Sequence, residues 1–153
     1  ALTDFNAMRA REGAKLADDV RAKAGTIASL VTQVEQRSPE TVAAYREKLR
    51  QRMEEVLENT QIDESRILTE AALFADKVAV DEETVRLRSH LAQLEEMLQA
   101  EGPIGRKLDF LIQEFNREAN TIGSKCSDVA LSRVVVDLKG EIEKIREQVQ
   151  NIE

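Results

Sequence analysis

The sequence is poor in the residue types that carry specialised chemistry. Among its 153 residues there are one cysteine, one histidine, two prolines, six glycines and no tryptophan, and aromatic residues make up 3%. A lone cysteine excludes an internal disulfide and a cysteine-based zinc module. A single histidine excludes catalysis by a pair of histidines within one subunit. No apolar run approaches the ~18 residues that span a bilayer, and neither a phosphate-binding glycine loop nor a nucleophile elbow is present.

Basic charge is also in short supply. Lysine and arginine number 22 against 29 acidic residues, which gives a net charge of −7. This balance opposes binding to nucleic acid, because phosphate contacts depend on lysine and arginine. A nucleic-acid partner is therefore compatible with this chain only if basic residues are concentrated on one face.

Helix-forming residues dominate the sequence, with 42% hydrophobic and 33% charged residues. Apolar residues repeat at intervals of three and four along most of the chain, which predicts amphipathic helices. The sequence therefore predicts an all-α fold of six helices with short connections, arranged as a long first helix plus a helical bundle. The helices are expected at 4–37, from Ser38 through Val56, from Asp63, from Asp81 to the Gly102–Pro103 pair, at 104–123, and from about Asp128 through Val149.

Local capping signals set several of these boundaries. Ser38-Pro39-Glu40 predicts a new helix, with a capping serine, proline at the first helical position and an acid in the first turn. Asp63 is predicted to cap the third helix, with Ile62 and Ile67 as a hydrophobic staple. Asp81 is expected to begin the fourth helix, with Val80 and Val85 in the same relation.

Two regions are expected within one domain-sized unit. Residues 1–60 predict a long helical hairpin suited to an assembly arm, and 61–153 predict a helical bundle. The chain begins at Ala1 inside an amphipathic run. We therefore expect it to be part of a longer protein.

The fifth predicted helix has an unusual polar side. Its apolar stripe is ordinary and comprises Leu108, Leu111, Ile112, Phe115, Ala119 and Ile122. The opposite side carries amides and hydroxyls, including Gln113, Asn116, Asn120, Thr121 and Ser124. A merely solvated face is usually rich in lysine and glutamate, because these are good helix formers. Fixed donors and acceptors suit either a bound ligand or contacts that hold neighbouring helices in register.

His90 lies on one face of the fourth helix with Glu83, Arg86 and Gln93. Three interpretations stay open for this histidine. It is a capped or solvated residue, a general acid or base, or a metal ligand.

Several carboxylates on different helices can converge in a bundle: Glu70, Glu83, Asp109, Glu114 and Glu118. Oxygen ligands with open coordination positions suit Mg²⁺ or Mn²⁺. The alternative is that these acids are solvated and form local ion pairs, such as Glu114 with Arg117. Arg117 itself either clamps a phosphate through two parallel hydrogen bonds or bridges to acids of its own helix.

Four segments resemble the carboxy-terminal half of the YicC/YloC family of bacterial endoribonucleases. They are residues 70–77 (EAALFADK), 81–90 (DEETVRLRSH), 105–125 (GRKLDFLIQEFNREANTIGSK) and 146–153 (REQVQNIE). The resemblance is specific over 60–153, whereas 1–59 matches only in helical character. It implies another domain of similar size in front, cytoplasmic cleavage of RNA, a divalent metal (Mn²⁺ or Mg²⁺) and a ring-like homo-oligomer.

With this resemblance the candidate residues receive roles. Catalysis is expected of His90, Glu83, Glu114 and Glu118. RNA contacts are expected of Arg86, Arg106, Lys107, Gln113, Arg117, Asn120 and Lys125. Metal binding is expected of Glu70, Glu83, Asp109 and Glu114.

Two functional hypotheses follow. The first is the carboxy-terminal domain of an endoribonuclease that cleaves RNA phosphodiester bonds with help from a metal, with small regulatory RNA as one candidate substrate and with no DNA or membrane partner. Attack by the 2′-hydroxyl and attack by water both stay open, and this portion alone is not expected to be fully active. The second is a non-catalytic helical oligomerisation module.

Overall fold

The computed structural model describes residues 1–57, 63–100, 104–126 and 128–150, and all five elements in these ranges are α-helices. They are α1 (Leu2–Leu57), α2 (Glu64–Val78), α3 (Asp81–Gln99), α4 (Gly105–Lys125) and α5 (Val129–Gln150). The predicted all-α class is confirmed. The predicted number of six helices is wrong, because the first two predicted helices form one.

Four of the helices surround a common core. The middle of α1 packs against α3 and α5, and α4 packs against the same two helices from the other side. The short helix α2 lies outside this bundle and packs against α1. Each of the four bundle helices contributes fully buried side chains, for example Val31, Leu87, Phe115 and Leu138.

The helix α1 runs without interruption through Pro39, contrary to the restart predicted there. Proline lacks the N–H that would bond to the carbonyl of Glu35, so the local sequence favours a break. Burial on both sides of the proline outweighs that preference, since Val34 is 0% and Thr41 9% exposed. Tertiary packing commonly overrides a local propensity in this way.

The two carboxy-terminal helices confirm their predicted apolar stripes. All six stripe residues of α4 are buried. In α5 the buried residues are Leu131, Val134, Val135, Leu138, Ile142, Ile145 and Val149, as predicted. The side chain of Asp128 accepts a hydrogen bond from the backbone N–H of Leu131 at 2.9 Å, which caps the start of α5.

The predicted starts of α2 and α3 are both confirmed. Asp63 caps α2 by accepting from the backbone N–H groups of Ser65 and Arg66. Ile62 of the predicted staple lies outside the described residues. Asp81 is the first residue of α3 and Val80 its cap residue, but the second predicted staple is wrong, because Val80 is 1% and Val85 67% exposed.

The amino-terminal part of α1 makes no close packing with the bundle. Residues 1–15 are exposed, including the apolar side chains of Phe5 and Met8 at 57% each. No helix in the described part of the chain has the length and apolarity needed to cross a membrane.

Candidate acid and histidine site between α3 and α4

A histidine and two carboxylates meet in the groove between α3 and α4. His90 comes from α3, and Glu114 and Glu118 lie one turn apart on α4. One potential ligand atom from each residue lies within 4.8 Å of the other two. The sequence therefore identified three residues that the fold brings together.

The positions of His90 and Glu118 follow from the packing period of their helices. Leu87, His90 and Leu94 are spaced by three and four residues, and so are Phe115, Glu118 and Ile122. This spacing places a side chain towards the neighbouring helix of a bundle. Glu118 is accordingly only 3% exposed.

The imidazole of His90 contacts an aromatic ring and has no hydrogen-bonding partner among the described residues. Its ring meets the ring of Phe115 edge to face, with centroids 5.7 Å apart. Both nitrogens, Nδ1 and Nε2, are buried and unpaired within the described part of the protein. Buried polar atoms are nearly always paired, so an orphaned pair beside two carboxylates indicates a position for an ion, a water molecule or a substrate group. A simple solvated histidine would have its nitrogens exposed to water.

Arg86 gives the buried carboxylate of Glu118 a counter-charge. One guanidinium nitrogen lies 3.8 Å from Oε2 of Glu118, and another lies 3.3 Å from Oε2 of Glu82. Arg86 is half exposed, so its guanidinium can reach both the buried acid and the solvent.

Glu83 forms a second buried acidic position, at the amino-terminal end of α3. Its carboxylate is 3% exposed, and Oε1 accepts a hydrogen bond from Nζ of Lys125 at 2.8 Å. Lys125 also donates to the backbone carbonyl of Ala79 at 3.0 Å. Oε2 of Glu83 is buried with no partner among the residues described. Lys125 thus links the start of α3 to the end of α4. Its ammonium group was predicted to contact RNA, but two of its three hydrogen-bond donors are used in these two bonds.

Glu83 lies outside the three-residue cluster, although it was predicted to be both catalytic and metal-binding. It precedes His90 by about two helical turns on the same flank of α3. Glu83 and His90 face α4 together, but Lys125 rather than the other acids partners Glu83.

Two predicted metal ligands are not brought to the cluster. Glu70 lies on α2, outside the four-helix core, and Asp109 is exposed on α4. Asp109 is among the carboxylates that raise the pKa of Arg146 on α5, where the hydrogen bond to Glu143 is the main cause. Neither belongs to the group that the described residues form around His90.

The remaining predicted RNA contacts lie on the solvent side of α4. Exposed side chains there are Arg106, Lys107, Gln113, Arg117 and Asn120. Within the ranges that the structure describes, Arg117 has no carboxylate within 4.0 Å, so the intrahelical bridge considered from the sequence is not formed there. Asn116 is half-buried, on the flank towards α5.

A separate cleft lies between α1, α2 and the start of α5. It has a volume of about 490 Å³ and is lined by Arg37, Tyr45, Phe74 and Asp128, among others. The rings of Tyr45 and Phe74 stack on each other with centroids 3.9 Å apart. Each ring therefore covers a face of the other on which a nucleotide base would have to stack. This cleft shares no residue with the His90 cluster.

The sequence interpretation missed the burial of Glu83 and Glu118. The sequence did contain a signal of this burial. Both residues occupy positions of the three-and-four period that otherwise hold leucine, isoleucine or phenylalanine. Carboxylates in such slots cost free energy and are rarely kept without a partner or a task.

A helical bundle that buries an unpaired imidazole beside two carboxylates has the donor set of a metal-assisted or acid–base site. Comparison with known proteins shows the family of the chain. Residues 34–153 match the family described as Endoribonuclease YicC-like, C-terminal, and the chain belongs to this family.

Two curated relatives have the same printed name, "Probable endoribonuclease YicC". The one from Clostridioides difficile is 47% identical, covering 100% of this chain and 53% of the relative. The one from Haemophilus influenzae is 41% identical, covering 99% of this chain and 52% of the relative. The chain thus spans about half the length of the curated relatives that it matches.

Proposed function

We propose that this chain forms the RNA-cleaving part of an endoribonuclease and that His90, Glu114 and Glu118 are its catalytic centre. Membership of the YicC-like family and the names of the two relatives support cleavage of RNA. The observation that carries the choice of site is the imidazole of His90, buried and unpaired beside two carboxylates.

The residues of the cluster fit a divalent cation. Two carboxylates and one imidazole from two helices offer three ligands and leave coordination positions open for substrate. The imidazole favours Mn²⁺ over Mg²⁺, whose ligands are oxygen atoms. When bound, such an ion supplies positive charge against the phosphate oxygens and polarises a water molecule.

The side chains of the chain itself divide the remaining work. Glu118 is buried and held by Arg86, so it provides fixed negative charge. Glu114 is more exposed and has no hydrogen bond to another described residue, so it is the carboxylate that can accept a proton from the attacking hydroxyl. Arg86 can turn from Glu82 towards the phosphate and stabilise its developing charge.

The test is cleavage of a labelled RNA by this chain and by the full-length natural protein that contains it, with and without chelator. Glu114→Gln and His90→Ala are expected to reduce cleavage by roughly 100-fold or more, because each removes a group at the reacting phosphate. Circular dichroism should show an unchanged helix content. Glu96→Gln, an exposed acid on the opposite side of α3, is the matched control and should cleave normally. Chelator-resistant cleavage would exclude the metal, and full activity of both cluster variants would exclude the site.

A second function, assembly of several copies, has its own support. The exposed start of α1 presents Leu2, Phe5 and Met8, at 79%, 57% and 57%. Apolar side chains exposed on one long helix favour pairing with a second copy. We propose that this segment mediates homo-oligomerisation; a ring-like closure and a cytoplasmic site of action stay predictions carried by the family resemblance.

The assembly proposal is tested apart from catalysis. The double variant Phe5→Asp, Met8→Asp should lower the mass measured by light scattering, since a charge on an apolar interface disfavours association. Glu12→Gln, on the same exposed segment, is the control. An unchanged mass, or a chain that is monomeric from the start, would contradict assembly through α1.

A further inference from the structure

One aromatic ring on α4 lies outside the core. Phe110 is 65% exposed, whereas its neighbours Leu108 and Leu111 are 0% and 2% exposed. A single exposed apolar residue is common on protein surfaces and indicates nothing by itself. The surroundings of the ring therefore decide what it can do.

The neighbours of Phe110 on its helix face are polar, and two of the four are arginines. At helical spacing they are Arg106, Gln113, Glu114 and Arg117. Among the described residues, neither Arg106 nor Arg117 has a carboxylate within 4.0 Å of its guanidinium. Aromatic and arginine side chains are also common at protein interfaces, so the measurement of mass below distinguishes a protein partner from RNA. Guanidinium groups that lack an ion-pair partner within the described ranges, beside an exposed ring, complement a chain that alternates phosphates and bases.

The ring is also close to the catalytic cluster along the helix. Phe110 precedes Glu114 by four residues, which is about 6 Å along the helix axis. Arg117 follows Glu114 by three residues on the same side of α4. A strand whose phosphate occupies the cluster therefore has its neighbouring nucleotide at the ring.

We propose that Phe110 is a stacking platform for an unpaired base next to the phosphate that is cleaved, with Arg106 and Arg117 holding the flanking phosphates. The proposal rests on the function proposed above and names its substrate class, single-stranded RNA. A base inside a duplex is already stacked on both faces and cannot lie on the ring.

The experiment measures RNA binding in the presence of chelator, so that cleavage does not interfere. The probes are a short single-stranded RNA containing the fluorescent base 2-aminopurine and a fully paired duplex of the same sequence. Phe110→Ala should weaken binding of the single strand roughly 5- to 100-fold, the range seen when a stacking aromatic is removed. Binding of the duplex should not change. The fluorescence change on binding should be lost in Phe110→Ala and kept in Phe110→Tyr, which retains an aromatic face.

Matched variants separate stacking from general apolar contact. Phe110→Leu keeps apolar surface but has no ring, so it should behave like Phe110→Ala. Val136→Ala, equally exposed at 67% but on α5, should bind like the unaltered chain. Equal binding by Phe110→Ala and the unaltered chain, or rescue by leucine, would overturn the proposal.

Failure of this proposal differs from failure of the proposed function. If the unaltered chain and the full-length natural protein bind no RNA at all, the nuclease function itself fails. If RNA is bound and cleaved normally by Phe110→Ala, only the platform fails. A change in mass of Phe110→Ala by light scattering without RNA would identify the ring as a contact between protein chains and would also overturn the platform.

Discussion

Charged and titratable side chains occupy positions in this bundle where helices ordinarily place leucine. Glu83, His90 and Glu118 each occupy a slot of the three-and-four period, and both acids are 3% exposed. Removing a carboxylate from water is costly unless a partner compensates it. Glu83 has Lys125 at 2.8 Å, whereas the one cation near Glu118 in the described part of the chain is the more distant Arg86 at 3.8 Å. A contribution to stability therefore explains the burial of Glu118 less well than that of Glu83.

The first prediction concerns the cost of this acid. Glu118→Leu should raise the free energy of unfolding by about 1–3 kcal/mol, because a well-packed leucine replaces a poorly compensated buried charge. The same variant should lose RNA cleavage. Thermal unfolding and the cleavage assay, run on the same preparation, measure both effects.

A structural role for Glu118 would give the opposite pair of results, lower stability with retained cleavage. Glu141→Leu on α5 is the control. This acid has its own lysine partner at 3.0 Å and lies away from the cluster, so its replacement should not affect cleavage.

At the scale of the helix, small residues control how closely α4 and α5 approach. A Cβ atom added to Gly123 would lie 3.3 Å from Cγ1 of Val135, so the valine would have to shift by a few tenths of an ångström. A Cβ atom on Gly140 would meet no other group within 4 Å. Both glycines lie inside helices, where glycine costs about 0.5–1 kcal/mol relative to alanine.

The second prediction follows from this difference. Gly140→Ala should stabilise the chain by about 0.5–1 kcal/mol, since it gains helix propensity without a clash. Gly123→Ala should gain less or lose stability, because the contact with Val135 offsets the same propensity. Chemical denaturation of the two variants gives the comparison, and an equal gain for both would mean that the α4–α5 contact is loose.

At the scale of the element, periodicity predicted features within one helix, such as its buried stripe, better than features that depend on contacts between helices. The buried stripes of α4 and α5 and the cap at Asp63 follow from residues close together in sequence. The continuity of α1 through Pro39 does not, because it depends on burial against other helices.

The candidate site shows the same division. The sequence identified His90, Glu114 and Glu118 as candidates, but it did not show that Glu118 faces inward, and their approach to within 4.8 Å required the fold. The partnership of Glu83 with Lys125 joins positions 42 residues apart, which no local pattern encodes. Glu70 and Asp109 are acids of the same kind on other surfaces, and residue type alone could not separate them from the cluster.

At the scale of the molecule, exposed ion pairs link α1 to two of its neighbours, α3 and α2. Arg88 of α3 donates to both oxygens of Glu35 on α1, and this raises the pKa of Arg88. Arg50 of α1 donates to Glu64 at the start of α2, and this hydrogen bond lowers the pKa of the Glu64 carboxyl. The second pair helps to hold the outer helix to the bundle.

The third prediction is the pH dependence of that link. The pKa of Glu64 is lowered in the folded chain, so the stabilisation is present above the ordinary value of 4.5 and is lost as pH falls through the lowered value. The pKa of Arg50 is raised by the same pair, and this changes the stability only at strongly alkaline pH.

Glu64→Gln should therefore lower the melting temperature at neutral pH and have no effect once the pH is below the lowered pKa of Glu64. Melting curves across this range test the expectation. Glu96→Gln, an exposed acid with no ion pair among the described residues, should show no such pattern. A difference between Glu64→Gln and the unaltered chain that persists in acid would assign the effect to packing.

The fourth prediction is the salt dependence of RNA binding, which follows from the negative charge of the whole chain. With a net charge of −7, the proposed phosphate contacts are expected only from the cations of one face, for which Arg86, Arg106, Lys107 and Arg117 are the candidates. Each phosphate neutralised on a single strand contributes about −0.7 to the slope of log K against log salt concentration. Three or four contacts therefore predict a slope of about −2 to −3.

Fluorescence titrations at several salt concentrations, with chelator present, measure this slope. Arg117→Ala should make it shallower by about 0.7, because one phosphate contact is lost. Arg133→Ala, an exposed arginine on α5, should leave it unchanged. A slope of about −5 or steeper would require more cations than this face of α4 and α3 provides, and the RNA path would then have to include other helices.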